Sequence, residues 1–310
     1  MTAWRQIGRY CSLLAVFAMP ALTGADTLYK YRDPDGTWVY TDRKPDTSDG
    51  VEVRELPGGG GQGQVTLSRH TANGRLTVLA SNSLHAPVQL RLLGRDVAPR
   101  REPADWVLAP QSTTELMSFE VGTPAAAAGT AYRYQWLFGD PEATHRPPEP
   151  YRAPFPAAVT HRVSQAWPEL RTHTTVDSGH AVDIVMPVGS NVHAARGGVV
   201  VEVAATNFSN SDKPDGEGAT ANLVRILHDD GTFAVYAHLD WNSIRVRAGE
   251  PVERGQYIAN SGNTGFSTGP HLHFVVLHNV GMRIQSIPVQ FAGAGDTVVV
   301  PSAGDELTAY

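Results

Sequence analysis

Two histidines separated by a single residue, His271 and His273, form the most chemically suggestive pattern in the sequence. They stand at the head of an apolar run rich in β-branched residues, which predicts a strand. Alternate residues of a strand project from the same face, so the two imidazoles should converge while their neighbours enter a core. A glycine-rich segment precedes them. Two converging imidazoles indicate either a metal site or a pair of acid–base groups.

Two other elements carry polar groups of the same kind. Asp183 lies inside the apolar run of residues 182–187, where a carboxylate is costly to bury unless it is paired or bound to a metal. His238 ends the predicted strand of residues 233–238. Because it alternates with Tyr236, we expect both side chains to face one side. Asp183 and His238 are therefore candidates to join the two neighbouring histidines.

A histidine upstream of Asp183 would complete the set, and there are two candidates. His180 is three residues away, so in an extended strand it would face away from Asp183. His173 is ten residues away, and residues 176–179 between them have the composition of a turn. A hairpin centred near Ser178 would place His173 across from Asp183. This geometry favours His173, with His180 as the alternative.

One carboxylate and two imidazoles around a cation give the three-ligand pattern of a catalytic zinc site, with a fourth position for water. Two further histidines near that water could accept and return its proton. The sequence contains no His-Glu-x-x-His motif, so the proton acceptor is predicted to be a histidine rather than a carboxylate. The residue types therefore predict metal-assisted hydrolysis.

Charge and cysteine content narrow the class of protein. The formal net charge of −6 argues against a nucleic-acid partner, because no basic field would attract phosphates. The single cysteine, Cys11, falls within the first 25 residues. The mature chain would thus be stabilised by burial rather than by disulfides, and its metal ligands would be histidine and carboxylate.

Residues 1–25 have the features of a secretory signal. Arg5 and Arg9 form a basic segment, residues 13–19 are apolar, and residues 23–25 are small. The apolar run is too short to span a bilayer, and no later run is long enough. We expect secretion across the inner membrane into the periplasm or cell envelope of a Gram-negative-type bacterium, with no transmembrane segment after cleavage.

The rest of the chain is predicted to be mainly β. A small hairpin module (26–56) resembles a Tyr-Lys…Asp-x-x-Gly…Tyr-Thr-Asp module of secreted bacterial proteins. A glycine-rich linker (57–63) follows. Short alternating strands with Gly- and Pro-rich spacers predict an immunoglobulin-like β-sandwich (64–158). A second antiparallel β-domain (159–292) carries the candidate site, before a C-terminal tail (293–310).

Three strings in the second domain resemble the lysostaphin/LytM-type zinc metallopeptidases. They are Gly189-Ser-Asn-Val-His-Ala-Ala-Arg-Gly-Gly-Val199, Tyr236-Ala-His-Leu239 and Gly262-Asn-Thr-Gly-Phe-Ser-Thr-Gly-Pro-His-Leu-His-Phe274. The resemblance spans about residues 163–288. It implies a lysostaphin/LytM-like antiparallel sheet of the duplicated hybrid or barrel-sandwich type, with the site in a groove. The activity it implies is zinc-dependent endopeptidase cleavage of the peptide stems of peptidoglycan.

The resemblance also implies roles for individual residues. Zinc would be held by Asp183, by His273 and by an upstream histidine, and the catalytic histidines would be His238 and His271. The usual family spacing of His-x-x-x-Asp would require a histidine at position 179, which is glycine here. Some relatives instead have a histidine ten residues before the aspartate, which supports His173 over His180.

Substrate contacts are predicted less directly. Tyr236 is a candidate because it shares the strand of His238, and Asn263 because it lies in the glycine-rich segment. Loop packing is an equal interpretation for Asn263 and also for Arg196. The competing functional hypothesis is a metal-free or weakly active cell-wall-binding module that recruits or activates an amidase. A peptidase acting on a protein substrate is a third.

Overall fold

The computed structural model describes residues 27–32, 38–41, 52–55, 63–94, 104–123, 132–169, 171–216 and 218–310. The predicted signal segment and most of the predicted linker lie outside these residues. Every regular element in the described ranges is a β-strand, which confirms the predicted mainly β class. The described residues contain no helix that could cross a membrane.

Residues 1–60 form one compact unit. Its described strands are β1 (Thr27–Arg32), β2 (Trp38–Thr41) and β3 (Glu52–Glu55). β1 pairs antiparallel with both β2 and β3, in the order β2-β1-β3. The first two strands correspond to the predicted hairpin, and β3 adds a third strand that the sequence pattern did not predict.

Residues 61–310 form a second compact unit, and its first part has two three-stranded sheets. One contains β4 (Val65–Ala72), β5 (Arg75–Asn82) and β8 (Ser112–Glu120). The other contains β6 (Val88–Gly94), β7 (Ala104–Leu108) and β9 (Tyr132–Phe138). Val65 and Ala80 of the first sheet share a buried cluster with Leu90 and Leu108 of the second. Two sheets that face a common core make this part a β-sandwich.

The second part is organised around a nine-stranded antiparallel sheet. Its strands are β10 (Thr160–Gln165), β11 (Val182–Val185), β13 (Gly198–Ala204), β15 (Leu223–Leu227), β16 (Phe233–Ala237), β17 (Pro251–Val252), β20 (His271–Asn279), β21 (Ile284–Ile287) and β24 (Glu306–Thr308). The order is β17-β13-β15-β16-β20-β11-β10-β24, and β21 pairs with β20. The predicted C-terminal tail thus contributes the edge strand β24, which pairs with β10.

The described residues also form three two-stranded ladders next to this sheet in sequence. They pair β12 (Asn191–His193) with β18 (Tyr257–Asn260), β14 (Asn210–Ser211) with β19 (Gly265–Phe266), and β22 (Phe291–Ala292) with β23 (Val298–Val299). The pairing of β14 with β19 is parallel. It attaches a long polar loop between β13 and β15 (residues 205–216 and 218–222) to the segment that leads into β20.

The alternation of β20 explains where the site lies. Leu272 and Phe274 are fully buried in the main core on one face of the sheet. On the other face, β20 begins with His271 and His273 and continues with Val275 and Leu277, which belong to a second apolar cluster. That cluster includes Ala86 of the sandwich, and Phe138 of the sandwich packs against it. The sandwich therefore covers this face beyond the histidines.

Candidate metal centre

The centre is built on a cross-strand pair. Asp183 of β11 lies directly opposite His273 of β20, and Ala237 of β16 lies opposite His273 on its other side. Directly opposed residues of an antiparallel pair lie within side-chain reach. Nδ1 of His273 is 3.0 Å from Oδ1 of Asp183. Sheet register alone therefore brings together two groups that are 90 residues apart in the chain.

His173 reaches the same carboxylate from a loop. Its Nε2 lies 3.1 Å from Oδ2 of Asp183, and His173 and Asp183 are only 4% and 8% exposed. The candidate ligand atoms of His173, Asp183 and His273 all lie within 4.8 Å of one another. The structure thus brings together the three side chains that the sequence favoured as metal ligands.

The backbone that places His173 next to Asp183 is not the hairpin that the sequence predicted. Residues 176–180 form turns rather than a hairpin strand, and the neighbours of β11 are β10 and β20. The cross-strand partner of Asp183 on the β10 side is Gln165. The predicted hairpin centred near Ser178 is therefore wrong, because β10 and β20 already occupy both edges of β11.

Gln165 connects the two ligands, a role that no pattern in the sequence indicates. Its side-chain amide donates to Oδ2 of Asp183 at 3.3 Å and to Oγ1 of Thr172 at 3.0 Å. Its carbonyl oxygen accepts from the backbone N–H groups of Arg171 at 2.7 Å and Thr172 at 3.0 Å. Because His173 follows Thr172, one buried glutamine orients a carboxylate ligand and anchors the loop of a histidine ligand.

His180, the alternative ligand, lies elsewhere. Its Nδ1 is 3.2 Å from the carbonyl oxygen and 3.3 Å from Oγ of Ser286, and its backbone N–H donates to the same hydroxyl. Its ring packs on Trp167 with the centroids 5.3 Å apart. His180 therefore supports the packing of the loop and does not join the cluster.

The electrostatics of Asp183 suit a cation. Burial alone would raise the pKa of its carboxyl group. Hydrogen bonds from His173 and His273, reinforced by the charges of these two groups, more than offset burial and hold the pKa well below its usual value. The carboxylate therefore stays ionised at neutral pH inside a largely buried site.

The donor set fits a zinc ion. Zinc takes carboxylate oxygen and imidazole nitrogen at about 2.0–2.2 Å, and two such ligands at a tetrahedral angle lie about 3.3 Å apart. The two Asp183–histidine separations, 3.0 and 3.1 Å, are close to that value. Three protein ligands are also the number typical of catalytic zinc sites, where structural sites use four.

His238 and His271 border this cluster, with their ring centroids 4.6 Å apart. Nδ1 of His238 lies 2.7 Å from the carbonyl oxygen of Thr264, and Nδ1 of His271 lies 2.7 Å from that of Gly269. A carbonyl can only accept, so each Nδ1 carries the proton and each Nε2 is left as the acceptor. Nε2 of His271 is 3.7 Å from Oδ1 of Asp183.

The backbone of His238 explains why it faces the site. β16 ends at Ala237, and His238 has a φ of +61°, in the left-handed region that L residues rarely adopt. This turn of the chain breaks the two-residue alternation and directs the ring toward His271. Burial, and then the nearby His271 and His273, lower the pKa of His238 to about 3. His238 is therefore neutral at neutral pH.

The prediction that Tyr236 contacts substrate is wrong for this structure. Tyr236 is fully buried, and its hydroxyl accepts a hydrogen bond from the backbone N–H of Ala195 at 2.7 Å. The two-residue alternation of β16 turns the Tyr236 side chain toward the core, and the positive φ of His238 ends this alternation before it reaches His238. Burial accordingly raises the pKa of the Tyr236 hydroxyl.

Asn263 supports the loop that leads to His271. Its side-chain oxygen accepts from the hydroxyl of Ser267 at 2.7 Å, and that hydroxyl lies 3.3 Å from Nδ1 of His271. Arg196 is buried and pairs with Asp229 and Asp230, so it does not line the centre. The geometry thus favours loop packing for both residues.

Two parts of the chain match known protein families. Residues 178–285 match the family model Peptidase family M23, and residues 13–72 match the model Domain of unknown function (DUF4124). The peptidoglycan DD-endopeptidase ShyA of Vibrio cholerae is 32% identical over 126 residues, which is 40% of this chain and 26% of that protein. The glycyl-glycine endopeptidase ALE-1 of Staphylococcus capitis is 36% identical over 101 residues, or 32% of this chain and 25% of that protein.

The chain thus spans about a quarter of the length of these relatives. Among solved structures, lysostaphin from Staphylococcus simulans is 29% identical over 38% of this chain and 43% of that chain, with a TM-score of 0.30. The likeness accordingly rests on the sequence matches. Together these show that residues 178–285 are similar to the peptidases of family M23, which include peptidases of the lysostaphin/LytM type.

Proposed function

We propose that the protein is a zinc-dependent endopeptidase that hydrolyses peptide cross-links of peptidoglycan in the cell envelope. The observation that carries the proposal is the arrangement around Asp183, where two imidazoles contact the carboxylate and two more border the cluster. The names of its relatives, a peptidoglycan DD-endopeptidase and a glycyl-glycine endopeptidase, support the choice of substrate. A predicted secretory signal is consistent with this location.

His173, Asp183 and His273 would hold the ion, through Nε2, the carboxylate and Nδ1 respectively. When bound, zinc supplies Lewis acidity that polarises a carbonyl oxygen and makes a water molecule more acidic. The register of β11 and β20 fixes two of these ligands, and Gln165 restrains the third through its loop.

His238 and His271 would act on the reacting groups through Nε2. His238 is neutral at neutral pH and its Nδ1–H is bound to Thr264, so its Nε2 lone pair is available to accept a proton from water. His271 lies next to His238, with Nε2 3.7 Å from Oδ1 of Asp183. In this position His271 would help to stabilise the developing oxyanion.

The test is digestion of cross-linked muropeptides by purified protein, followed by chromatography of the products. We expect wild type and His180→Ala to convert dimers to monomers, and His273→Ala to lose both zinc and activity. Cleavage by His273→Ala at the wild-type rate would refute the mechanism. A pentaglycine peptide as parallel substrate would reveal action on glycine-rich protein segments instead.

The alternative of a metal-free binding module makes a different prediction. Such a module would bind peptidoglycan with no zinc and with no effect of His273→Ala on binding. The presence of a complete ligand set argues against it. Metal analysis of the purified protein, combined with a sacculus-binding assay, separates the two functions.

A further inference from the structure

A strained residue needs support from its surroundings, and His238 is such a residue. Its φ of +61° is uncommon for any residue other than glycine, and such conformations persist only where neighbouring contacts over-determine them. Those contacts converge on Asn222, which is fully buried. Asn222 immediately precedes β15, whose first residue, Leu223, pairs with Ala237.

Asn222 holds the backbone just after His238 from two sides. The backbone N–H of Leu239 donates to the backbone carbonyl of Asn222 at 3.2 Å. The side-chain amide of Asn222 donates to the carbonyl oxygen of Leu239 at 3.3 Å. Asn222 therefore fixes both backbone polar groups of Leu239. It thereby also fixes the orientation of the peptide bond between His238 and Leu239.

A second link runs through Thr264 to the imidazole itself. The backbone N–H of Asn222 donates to Oγ1 of Thr264 at 3.0 Å, and that hydroxyl donates to the carbonyl oxygen of Leu239 at 2.8 Å. The backbone carbonyl of Thr264 is the acceptor for Nδ1–H of His238. Asn222 thus helps to place the group that selects the tautomer of His238.

A third link ties the polar loop to the same point. The side chain of Asn222 makes two hydrogen bonds to the backbone of Asn207, accepting from its N–H at 2.9 Å and donating to its carbonyl at 2.7 Å. Further along, the backbone N–H of Gly265 donates to the carbonyl of Ser209. The polar loop is therefore hydrogen-bonded both to Asn222, through Asn207, and to the segment after Thr264, through Ser209.

From this network we infer that Asn222 is a positioning residue for His238. It fixes the backbone next to His238 and the carbonyl group that accepts the Nδ1–H of the imidazole, and it does not touch the metal ligands. The inference rests on the proposed peptidase function for its kinetic consequence. Loss of a group that orients a metal ligand typically lowers affinity or activity about 10- to 100-fold, and we expect an effect of the same size for a group that orients an acid–base histidine.

The decisive variant is Asn222→Asp. It keeps the shape of the side chain but replaces two donated hydrogen bonds by oxygen–oxygen repulsion against Asn207 and Leu239. We expect kcat on muropeptide dimers to fall about 10- to 100-fold, with KM and zinc content within about twofold of wild type. A fall in zinc content, or an unchanged kcat, would overturn the inference.

Asn279→Asp is the matched control. Asn279 is 1% exposed, donates to the carbonyl of Gly139 at 3.2 Å and accepts from the N–H of Gly281 at 3.0 Å, at the far end of β20. It should lose stability to a similar extent and keep its kcat. Equal losses of kcat in the two variants would mean that Asn222 has only a general structural role, and would refute the inference.

A readout without substrate separates this inference from the proposed function. Nitrogen-15 NMR of labelled histidine should show a slowly exchanging Nδ1–H of His238 in wild type and in Asn279→Asp, but not in Asn222→Asp. If Asn222→Asp does not fold, Thr264→Val removes the bridging hydroxyl and should give the same two effects. Wild type without activity would refute the peptidase, whereas an Nδ1–H signal that survives either substitution would refute the positioning role.

Discussion

The substitution Gln165→Leu tests how the metal ligands are held in place. Gln165 is 4% exposed and makes four hydrogen bonds, to Asp183, to the hydroxyl of Thr172, and to the N–H groups of Arg171 and Thr172. Leucine occupies a similar volume but makes none of them. The change therefore removes the orienting partner of Asp183 and the anchor of the loop that carries His173, and leaves every ligand present.

The size of the effect follows from the exposure of the loop. A net hydrogen bond contributes about 1 kcal/mol, and a buried unpaired donor costs about 1–3 kcal/mol. Arg171 and Thr172 are exposed, so water can replace their lost acceptor and the free energy of unfolding should fall by only about 1–2 kcal/mol. The larger loss should appear in zinc affinity. For an outer partner of a ligand this is about 10- to 100-fold, or about 1.4–2.8 kcal/mol.

Competition with a chromophoric chelator would measure the zinc Kd, and urea unfolding of the same samples would measure stability. Gln89→Leu is the control, because Gln89 is also 4% exposed, accepts from the N–H of Met282 at 2.7 Å and donates to Asp105 at 2.9 Å in the sandwich. It should lose stability and keep the wild-type Kd. A folded Gln165→Leu protein with a Kd within twofold of wild type would refute the reasoning.

Three further predictions follow from the same geometry. His180→Ala should retain one equivalent of zinc by metal analysis, because His180 bonds to Ser286 and not to the cluster; a zinc-free variant would contradict this. Tyr236→Phe should lower the free energy of unfolding by about 1–3 kcal/mol, since the N–H of Ala195 loses its buried acceptor, and should leave KM unchanged; an altered KM at wild-type stability would restore Tyr236 as a substrate contact. The pKa of Asp183 is lowered on folding, so its ionised form stabilises the protein above the ordinary pKa of about 3.9, and this contribution is lost as the pH falls below it. In urea titrations of metal-free protein, wild type should therefore lose stability more steeply below about pH 4 than Asp183→Asn, and parallel profiles would contradict the assignment.

The sequence predicted best what depends on local periodicity. The alternation of His271 and His273 with buried Leu272 and Phe274 follows from the two-residue repeat of a strand, and so does the burial of Asp183. These features need no knowledge of which strands are neighbours. They sufficed to indicate the β class, the zinc chemistry and most of the candidate ligands.

The remaining features depend on backbone turns and on distant pairing. Tyr236 and His238 were expected on one face, but the positive φ of His238 ends the alternation. No residue pattern in the sequence predicts this positive φ. Gln165 meets Asp183 only because β10 pairs with β11 through a register shift after Val163. Irregularities of this kind arise from tertiary packing, which a pattern along one chain does not encode.

The strand β24 has a consequence for how the molecule behaves in solution. It pairs with β10 from Thr160 to Arg162, and the next backbone groups of β10, at Val163, bond to Gly304 and Asp305. Without this cover, β10 would expose a row of unpaired N–H and C=O groups, the feature by which sheets join edge to edge and aggregate. Removing residues 304–310 should therefore expose the edge of β10 and cause self-association through it, so this short segment protects the nine-stranded sheet against polymerisation.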